Sequence, residues 1–272
     1  MYKGVLTKML TQLNDPIDYY LNFDRDFIHL NQVIGKEISI KLTGYECLEC
    51  SKKVNIFAQG FCYNCFTTSA KAGQWIIRPE LSEAHLGKQD RDLDYESGMQ
   101  LQPHVVYLAK SSDFKIGVTR LSQLPTRWID QGADQAIVLL QTPNRYLAGV
   151  IEVELKNHFK DKISWQKMLK DSYQVDFSVL EKKKEEILNL ISNSLKNEIK
   201  EDHFRLLLSY PLKAYPTKIK SLNLEKQPQF SGVLKGIKGQ YLIFESGLVF
   251  NVRSHQGYCV DLSINSLNKK EI

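Results

Sequence analysis

The chain has 272 residues, of which 43% are apolar and 25% charged, and its formal net charge is +5. This composition indicates a soluble globular protein of one large or two ordinary domains, and the lack of any run of about 18 apolar residues excludes a membrane-spanning helix. The charge permits nucleic-acid binding without requiring it, and it is too small for a DNA-packaging protein. The first residues lack the features of a secretory signal, so we expect a cytoplasmic protein without a membrane partner.

Strand patterns dominate the first segment, residues 1–45. Polar and apolar residues alternate in "PIDYYLNF", "DFIHL" and "GKEISIKLTG", and turn residues separate these stretches. The pattern predicts an N-terminal β-rich segment.

Two C-x-x-C pairs open the second segment, residues 46–102. Cys47 and Cys50 form the first pair, Cys62 and Cys65 form the second, and 11 residues separate the pairs. This spacing is typical of one tetrahedral zinc in a zinc ribbon, and four cysteines leave no open position, which indicates a structural metal. A redox pair and two disulfides are the alternatives, although a redox motif needs one pair in a βαβ context and disulfides fit the cytoplasm poorly. The rest of the segment predicts a polar connector with one short helix.

The third segment, residues 103–172, combines strand and helix patterns. The stretches "HVVYLAKSS" and "KIGVTR" predict a hairpin, "LPTRWIDQG" predicts a short helix, and "QAIVLLQT" predicts a buried strand. A second helix is predicted over "NRYLAGVIEVELKNHF", where Leu147, Ile151, Leu155 and Phe159 form an apolar stripe. The predicted order is therefore β-β-α-β-α.

The last two segments are an amphipathic helix in residues 173–204 and a β-hairpin segment in residues 205–272. A capping box formed by Ser178 and Glu181 predicts that the helix covers residues 178–200. The fold class is thus α+β. The β-rich segments at the two ends of the chain could close into one small barrel, with the rest of the chain inserted between them.

The β-β-α-β-α segment resembles the GIY-YIG nuclease superfamily. The stretch "VVY", ending at Tyr107, stands where that family has Gly-Ile-Tyr, and "KIG", ending at Gly117, stands where it has Tyr-Ile-Gly. Arg127 matches the arginine of the following helix, and Glu152 matches the glutamate of the later helix. The resemblance covers about a quarter of the chain and implies a GIY-YIG-like domain.

A second resemblance covers most of the chain, including the cysteine pairs. The stretches "LQPHVVYLA", "GVTR", "PTRWIDQGA", "NRYLAG" and "SWQKML" are similar to signatures of a bacterial family known as domain of unknown function 2797. This resemblance supports the fold and implies little about activity.

The GIY-YIG resemblance implies a role for each matched residue in phosphodiester cleavage. Tyr107 would help to activate water, Glu152 would hold one Mg²⁺ or Mn²⁺, and Arg127 would bind the phosphate bidentately. Gly117 would let the backbone approach closely where a side chain would block it. Gly117 and Arg120 are both expected at the substrate.

The resemblance departs from the family at Lys115, where the second tyrosine usually stands. A lysine there could serve as a base if its pKa were depressed, or it could contact a phosphate or simply protect a strand edge. Structural roles are also open for the other residues: Tyr107 as a core side chain, Arg127 paired with Asp130, and Glu152 as a solvated helix carboxylate.

Three functions follow from these patterns. The first is a metal-dependent nuclease acting on DNA or RNA. The second is a non-catalytic zinc-ribbon protein that binds nucleic acid, with a steep dependence on salt. The third is a protein-interaction scaffold. The sequence does not indicate the oligomeric state.

Overall fold

The structure is a computed structural model that describes residues 1–23, 25–156, 158, 164–196 and 199–265. The chain divides into two units. The terminal unit combines Met1–Phe66 with Ser209–Ile272, and the central unit is Thr67–Leu208. None of the described helices is long and apolar enough to cross a membrane.

The fold is α+β, as predicted. The described strands are β1 (Tyr2–Val5), β2 (Leu10–Gln12), β3 (Asp18–Asn22), β4 (Phe27–His29), β5 (Glu37–Tyr45), β6 (His104–Lys110), β7 (Phe114–Arg120), β8 (Gln135–Thr142), β9 (Lys200–Glu201), β10 (Arg205–Leu207), β11 (Lys220–Leu222), β12 (Gln229–Lys238), β13 (Tyr241–Phe244), β14 (Leu248–Asn251) and β15 (Tyr258–Asn265). The described α-helices are α1 (Tyr63–Thr68), α2 (Leu93–Gln100), α3 (Thr126–Asp130), α4 (Arg145–Lys156), α5 (Trp165–Met168), α6 (Phe177–Leu190) and α7 (Asn193–Lys196).

The terminal unit contains a seven-stranded sheet in the order β1-β15-β5-β12-β13-β14-β11, and a smaller sheet of β2, β3 and β4. Alternation explains β5, in which Ile38 and Ile40 are buried and their neighbours are more exposed. The two ends of the chain share the large sheet, because β1 and β5 both pair with β15.

The prediction of a small barrel is wrong, because this sheet is open, with β1 and β11 at its edges. Closing a sheet into a barrel requires its first and last strands to pair over a staggered register. The two edge strands are short, with four residues in β1 and three in β11, so neither offers a long ladder for closure.

The central unit is built on a sheet in the order β10-β8-β6-β7, with β9 also paired to β8, and every pair in it is antiparallel. In chain order, β6 and β7 form a hairpin, and α3, β8 and α4 follow. The apolar stripe of α4 packs on the sheet through Leu147, Ile151 and Leu155. Phe159, the fourth predicted member of the stripe, lies outside the described residues.

Helix α6 begins one residue before the predicted position, and Asp176 is its cap. The Asp176 carboxylate accepts a hydrogen bond from the Ser178 backbone N–H at 2.8 Å, so the predicted Ser178 box does not form the N-terminus. Glu181 instead forms an ion pair with Arg205. The helix ends at Leu190 rather than continuing to residue 200, and residues 197–198 of the predicted helix lie outside the described part of the chain.

The segment before β6 packs against α4. Gly149 lies in this contact, since a Cβ atom at residue 149 would lie 2.3 Å from the Glu80 backbone nitrogen and 2.4 Å from the Pro79 carbonyl carbon. Trp75 of the same segment is buried. The predicted short helix of this region is α2.

Candidate functional site

The four cysteines of the two C-x-x-C pairs form one cluster in the terminal unit. The Sγ atoms of Cys47, Cys50, Cys62 and Cys65 all lie within 4.8 Å of one another. Four sulfurs at about 2.3 Å from a zinc ion would lie about 3.8 Å apart in a regular tetrahedron. The Cys50 and Cys62 sulfurs are 4.0 Å apart, so the donor set and its size fit a structural zinc.

Local turns bring the two pairs together. The Ser51 N–H donates to the Cys47 carbonyl at 2.9 Å, and the left-handed φ of 55° at Ser51 turns the chain away from the first pair. Between the pairs, the Phe57 N–H donates to the Phe61 carbonyl at 2.7 Å, which closes a tight hairpin. Gly60 in this turn has φ +85°, and a Cβ atom there would lie 2.5 Å from Leu48 Cδ1.

Cys47 and Cys65 differ in how readily their thiols lose the proton that a bound cation would replace. Burial acts to raise the pKa of Cys47, but hydrogen bonds from the backbone N–H groups of Cys50, Cys62 and Glu49 outweigh it and lower the pKa to about 6. Burial and the neighbouring cysteines raise the pKa of Cys65 to about 12. All four cysteines are free thiols, so the disulfide alternative is wrong for this structure. Four thiolates this close together need a divalent cation to offset their charge.

Tyr107 lies in the middle of β6 and is completely buried. Its partner across the hairpin is Gly117, and a Cβ atom at residue 117 would lie 2.6 Å from the Tyr107 hydroxyl oxygen. Glycine is therefore required here because the tyrosine ring lies across the neighbouring strand. The close approach predicted for Gly117 is thus made by a side chain of the same protein.

Gln131, just after α3, joins Tyr107 to Arg127. In the amide orientation that satisfies both groups, the Gln131 side-chain oxygen accepts from the Tyr107 hydroxyl at 2.8 Å, from Arg127 Nε at 3.1 Å and from Arg127 Nη2 at 3.2 Å. Burial raises the pKa of the Tyr107 phenol, the adjacent Arg127 and Gln131 act to lower it, and the charge of Glu152 raises it further. The phenol is consequently a neutral hydrogen-bond donor.

Glu152 lies on α4 with its carboxylate buried. The alternative interpretation, in which Glu152 is a solvated helix carboxylate, is therefore wrong. Its side chain is 9% exposed, and one oxygen lies 3.3 Å from Lys156 Nζ, one turn further along the helix. The charge of Glu152 acts on the pKa values of both Tyr107 and Arg145. The structure joins Tyr107 and Arg127 through Gln131.

Arg145, at the start of α4, is the residue that sequence reasoning missed. Its Nε donates to the Trp75 carbonyl at 3.0 Å and its Nη2 donates to the Ile76 carbonyl at 2.7 Å. Burial lowers its pKa to about 10; Glu152 acts to raise the pKa, and Arg127 and Arg120 lower it further. The sequence did contain one indication of its role. A positive charge in the first turn of a helix is unfavourable because of the helix dipole, so an arginine there indicates a compensating interaction.

The predicted residues of the hairpin are divided between the two faces of the sheet. Opposite residues in an antiparallel pair share a face, and residues two apart along a strand do as well. Lys115, opposite Ala109, therefore lies on the face of Tyr107 and Gly117, whereas Arg120, opposite His104, lies on the other face. The charges of Arg120, Arg127, Glu80 and Glu152 all act on the pKa of Arg145, and we call these five residues the arginine cluster.

His104 adds a buried neutral imidazole beside this cluster. Its Nδ1 lies 2.7 Å from the Gln102 carbonyl, and its Nε2 is buried without a hydrogen-bond partner in the described part of the chain. Burial and, to a lesser degree, the charges of Arg145 and Arg120 lower its pKa to about 4. Nδ1 therefore carries the proton and donates to the carbonyl, which leaves Nε2 as an acceptor.

Comparisons with known proteins give one match. A family model described as "Protein of unknown function (DUF2797)" matches residues 35–260, a range that includes the cysteine cluster and the arginine cluster. No curated protein and no solved structure matches the chain.

Proposed function

The chain belongs to the DUF2797 family, and we propose that its central unit is a GIY-YIG-like nucleic-acid-processing domain that binds phosphodiester groups at the arginine cluster. The observation that carries this proposal is the hydrogen-bonded set of Tyr107, Gln131 and Arg127, with Glu152 close enough to act on the Tyr107 pKa. The β-β-α-β-α order of the unit is consistent with it.

The charge of the cluster favours an anionic ligand. Its three guanidinium groups outnumber its two carboxylates, Glu80 and Glu152, so the cluster has an excess of one positive charge. Guanidinium is the side chain best suited to phosphate, because its planar fork donates two parallel hydrogen bonds. Partial burial strengthens such contacts, since the effective dielectric constant there is lower than in water.

Glu152 would hold the divalent metal for phosphodiester cleavage. Mg²⁺ is usually bound by one or two carboxylates with the remaining positions filled by water and phosphate, and Mn²⁺ accepts the same oxygen ligands. Such a metal would stabilise the charge that develops on the reacting phosphate. Binding requires the Glu152 carboxylate to exchange its contact with Lys156 for the metal.

A second candidate, non-catalytic binding of DNA or RNA, is favoured by the burial of Tyr107. A completely enclosed phenol with a raised pKa is a poor base for an attacking water. Lys115 also stands where the superfamily has its second tyrosine. Under this candidate, the arginine cluster binds the backbone, and the cysteine cluster stabilises the terminal unit.

The experiment that separates the candidates measures binding and cleavage together. Purified protein is incubated with branched and single-stranded DNA and RNA in Mg²⁺ or Mn²⁺, using Glu152→Gln and the control Glu185→Gln, which changes an exposed carboxylate on α6. Cleavage that Glu152→Gln abolishes and Glu185→Gln retains supports the nuclease. Binding without cleavage, equal or tighter in Glu152→Gln, supports the second candidate. If no substrate is bound, both candidates fail and a protein-interaction scaffold remains.

A further inference from the structure

The terminal unit contains a cavity far in sequence from the arginine cluster. Its volume is about 430 Å³, and its walls are the loop of residues 213–218, Lys235 on β12 and the turn of residues 245–247. Sites for small ligands usually have volumes of about 300–1,000 Å³. We call it the lysine cavity, because its walls contain Lys213, Lys218 and Lys235.

A β-bulge in β12 directs the Lys235 side chain towards the lysine cavity. The register between β12 and β13 runs from Leu234↔Phe244 to Gly236↔Ile243, so Lys235 is an extra residue without a partner in the ladder. Bulges of this kind re-aim a side chain and are frequent beside functional sites. Lys235 Nζ lies 2.6 Å from the carboxylate of Glu245, which also lines the cavity.

The loop that forms the other wall is held at both ends. At its start, the Ile237 N–H donates to the Pro211 carbonyl at 3.0 Å, and at its end the Lys220 N–H donates to the Gly247 carbonyl at 3.0 Å. Gly247 has φ +78°, and a Cβ atom there would lie 2.6 Å from the Lys218 carbonyl oxygen. The cavity is therefore formed by backbone that is already fixed, which reduces the ordering cost of binding.

The charge of the walls favours an anion. Lys213 and Lys218 have exposed side chains, and in the part of the chain that the structure describes neither has a carboxylate partner. Glu245, the acidic residue of the walls, already forms an ion pair with Lys235. Two lysines thus remain to balance a ligand that carries two negative charges, as a terminal phosphate does near pH 7.

An aromatic side chain completes the cavity. Tyr215 lies in the wall, and the completely buried Lys238 places its ammonium 5.3 Å from the Tyr215 ring centroid and 5.4 Å from that of Tyr210. The cation–π contact with Lys238 helps to hold the Tyr215 ring in position. The walls therefore combine cations with an aromatic and apolar surface that includes Phe244.

We propose that the lysine cavity binds a phosphate-bearing ligand of nucleotide size, with Lys213 and Lys218 at the phosphate and Tyr215 beside the organic part. Two sources offer this chemistry: a free nucleotide and the phosphorylated end of a nucleic-acid strand. The site lies outside the central unit, so the proposal does not depend on activity at the arginine cluster.

Isothermal titration calorimetry of the full chain tests the proposal. The probes are AMP, adenosine and a 5′-phosphorylated dinucleotide. The test variant is Lys213→Gln/Lys218→Gln, and Lys226→Gln is a matched control because Lys226 is an exposed lysine outside the cavity walls. A third variant, Arg127→Ala, reports binding at the arginine cluster instead.

The proposal expects AMP to bind at least tenfold more tightly than adenosine. The double lysine variant should lose at least tenfold in AMP affinity, while Lys226→Gln binds as the unmodified chain does; in Arg127→Ala, the AMP binding that depends on Lys213 and Lys218 should persist. In Arg127→Ala, which removes phosphodiester binding at the arginine cluster, a dinucleotide that binds much more tightly than AMP identifies a strand end as the source, and equal affinities identify a free nucleotide. The proposal is overturned if neither phosphate ligand binds, if the double variant binds normally, or if Arg127→Ala alone removes binding.

Discussion

Gly117→Ala tests the packing that holds the candidate site. The new Cβ atom would lie 2.6 Å from the Tyr107 hydroxyl oxygen and 2.7 Å from Tyr107 Cζ, so the buried ring must move. Overpacking of this kind costs about 1–3 kcal/mol, and the hydrogen bond from Tyr107 to Gln131 that would be strained contributes about 1 kcal/mol. We therefore expect Gly117→Ala to lower the free energy of unfolding of the central unit by about 2–4 kcal/mol.

The assay is urea unfolding followed by tryptophan fluorescence. The chain has three tryptophans, and Trp75, Trp128 and Trp165 all lie in the central unit, so the signal reports that unit alone. Gly98→Ala is the matched control, because no atom lies within 4 Å of a Cβ at this helical position. The control should raise stability by about 0.5–1 kcal/mol. If the two alanine variants are equally stable, the account of Tyr107 lying across Gly117 is wrong.

Three further predictions concern the metal, the buried histidine and the missed arginine. The full chain should carry one zinc, measured by plasma mass spectrometry, which Cys47→Ser and Cys65→Ser should each lose and Cys259→Ser should retain; equal zinc in all three variants, or no zinc in the full chain, would contradict a four-cysteine zinc site. The pKa of His104 is about 4 in the folded chain, below its unfolded value, so its contribution to stability is complete above about pH 6.5 and is lost as the pH falls towards 4. From pH 6.5 to 5 this loss is about 2 kcal/mol in urea unfolding, and His104→Gln should abolish it; an unchanged pH profile would refute the assignment. Arg145→Lys cannot reproduce both hydrogen bonds to the Trp75 and Ile76 carbonyls, so it should cost about 2–4 kcal/mol in the same assay, and a cost below about 0.5 kcal/mol would contradict it.

The features that the sequence predicted correctly depend on short-range patterns. The spacing of Cys47, Cys50, Cys62 and Cys65 was enough to predict one cluster, because the two turns that join them are local. The hairpin of β6 and β7 was equally accessible, since its two apolar runs and the polar turn between them lie within 17 residues of the chain, 104–120.

Long-range contacts were not accessible in the same way. Arg145 donates to carbonyl groups 69 and 70 residues earlier in the chain, and no local pattern indicates such a pairing. The complete burial of Tyr107 depends on Gly117 and on α3 together. The barrel prediction failed for a related reason, because the lengths of the edge strands β1 and β11 are set by the neighbours they meet.

The central claim is that the arginine cluster binds the phosphodiester backbone, and the affinity of Arg127→Ala for single-stranded DNA and RNA tests it most directly. Arg205→Ala is the matched control, since Arg205 lies in the same unit but forms an ion pair with Glu181 on the surface. We predict that Arg127→Ala binds at least tenfold more weakly and shows a shallower dependence on salt, while Arg205→Ala binds normally. Equal affinities and equal salt dependence for the two variants would contradict the account.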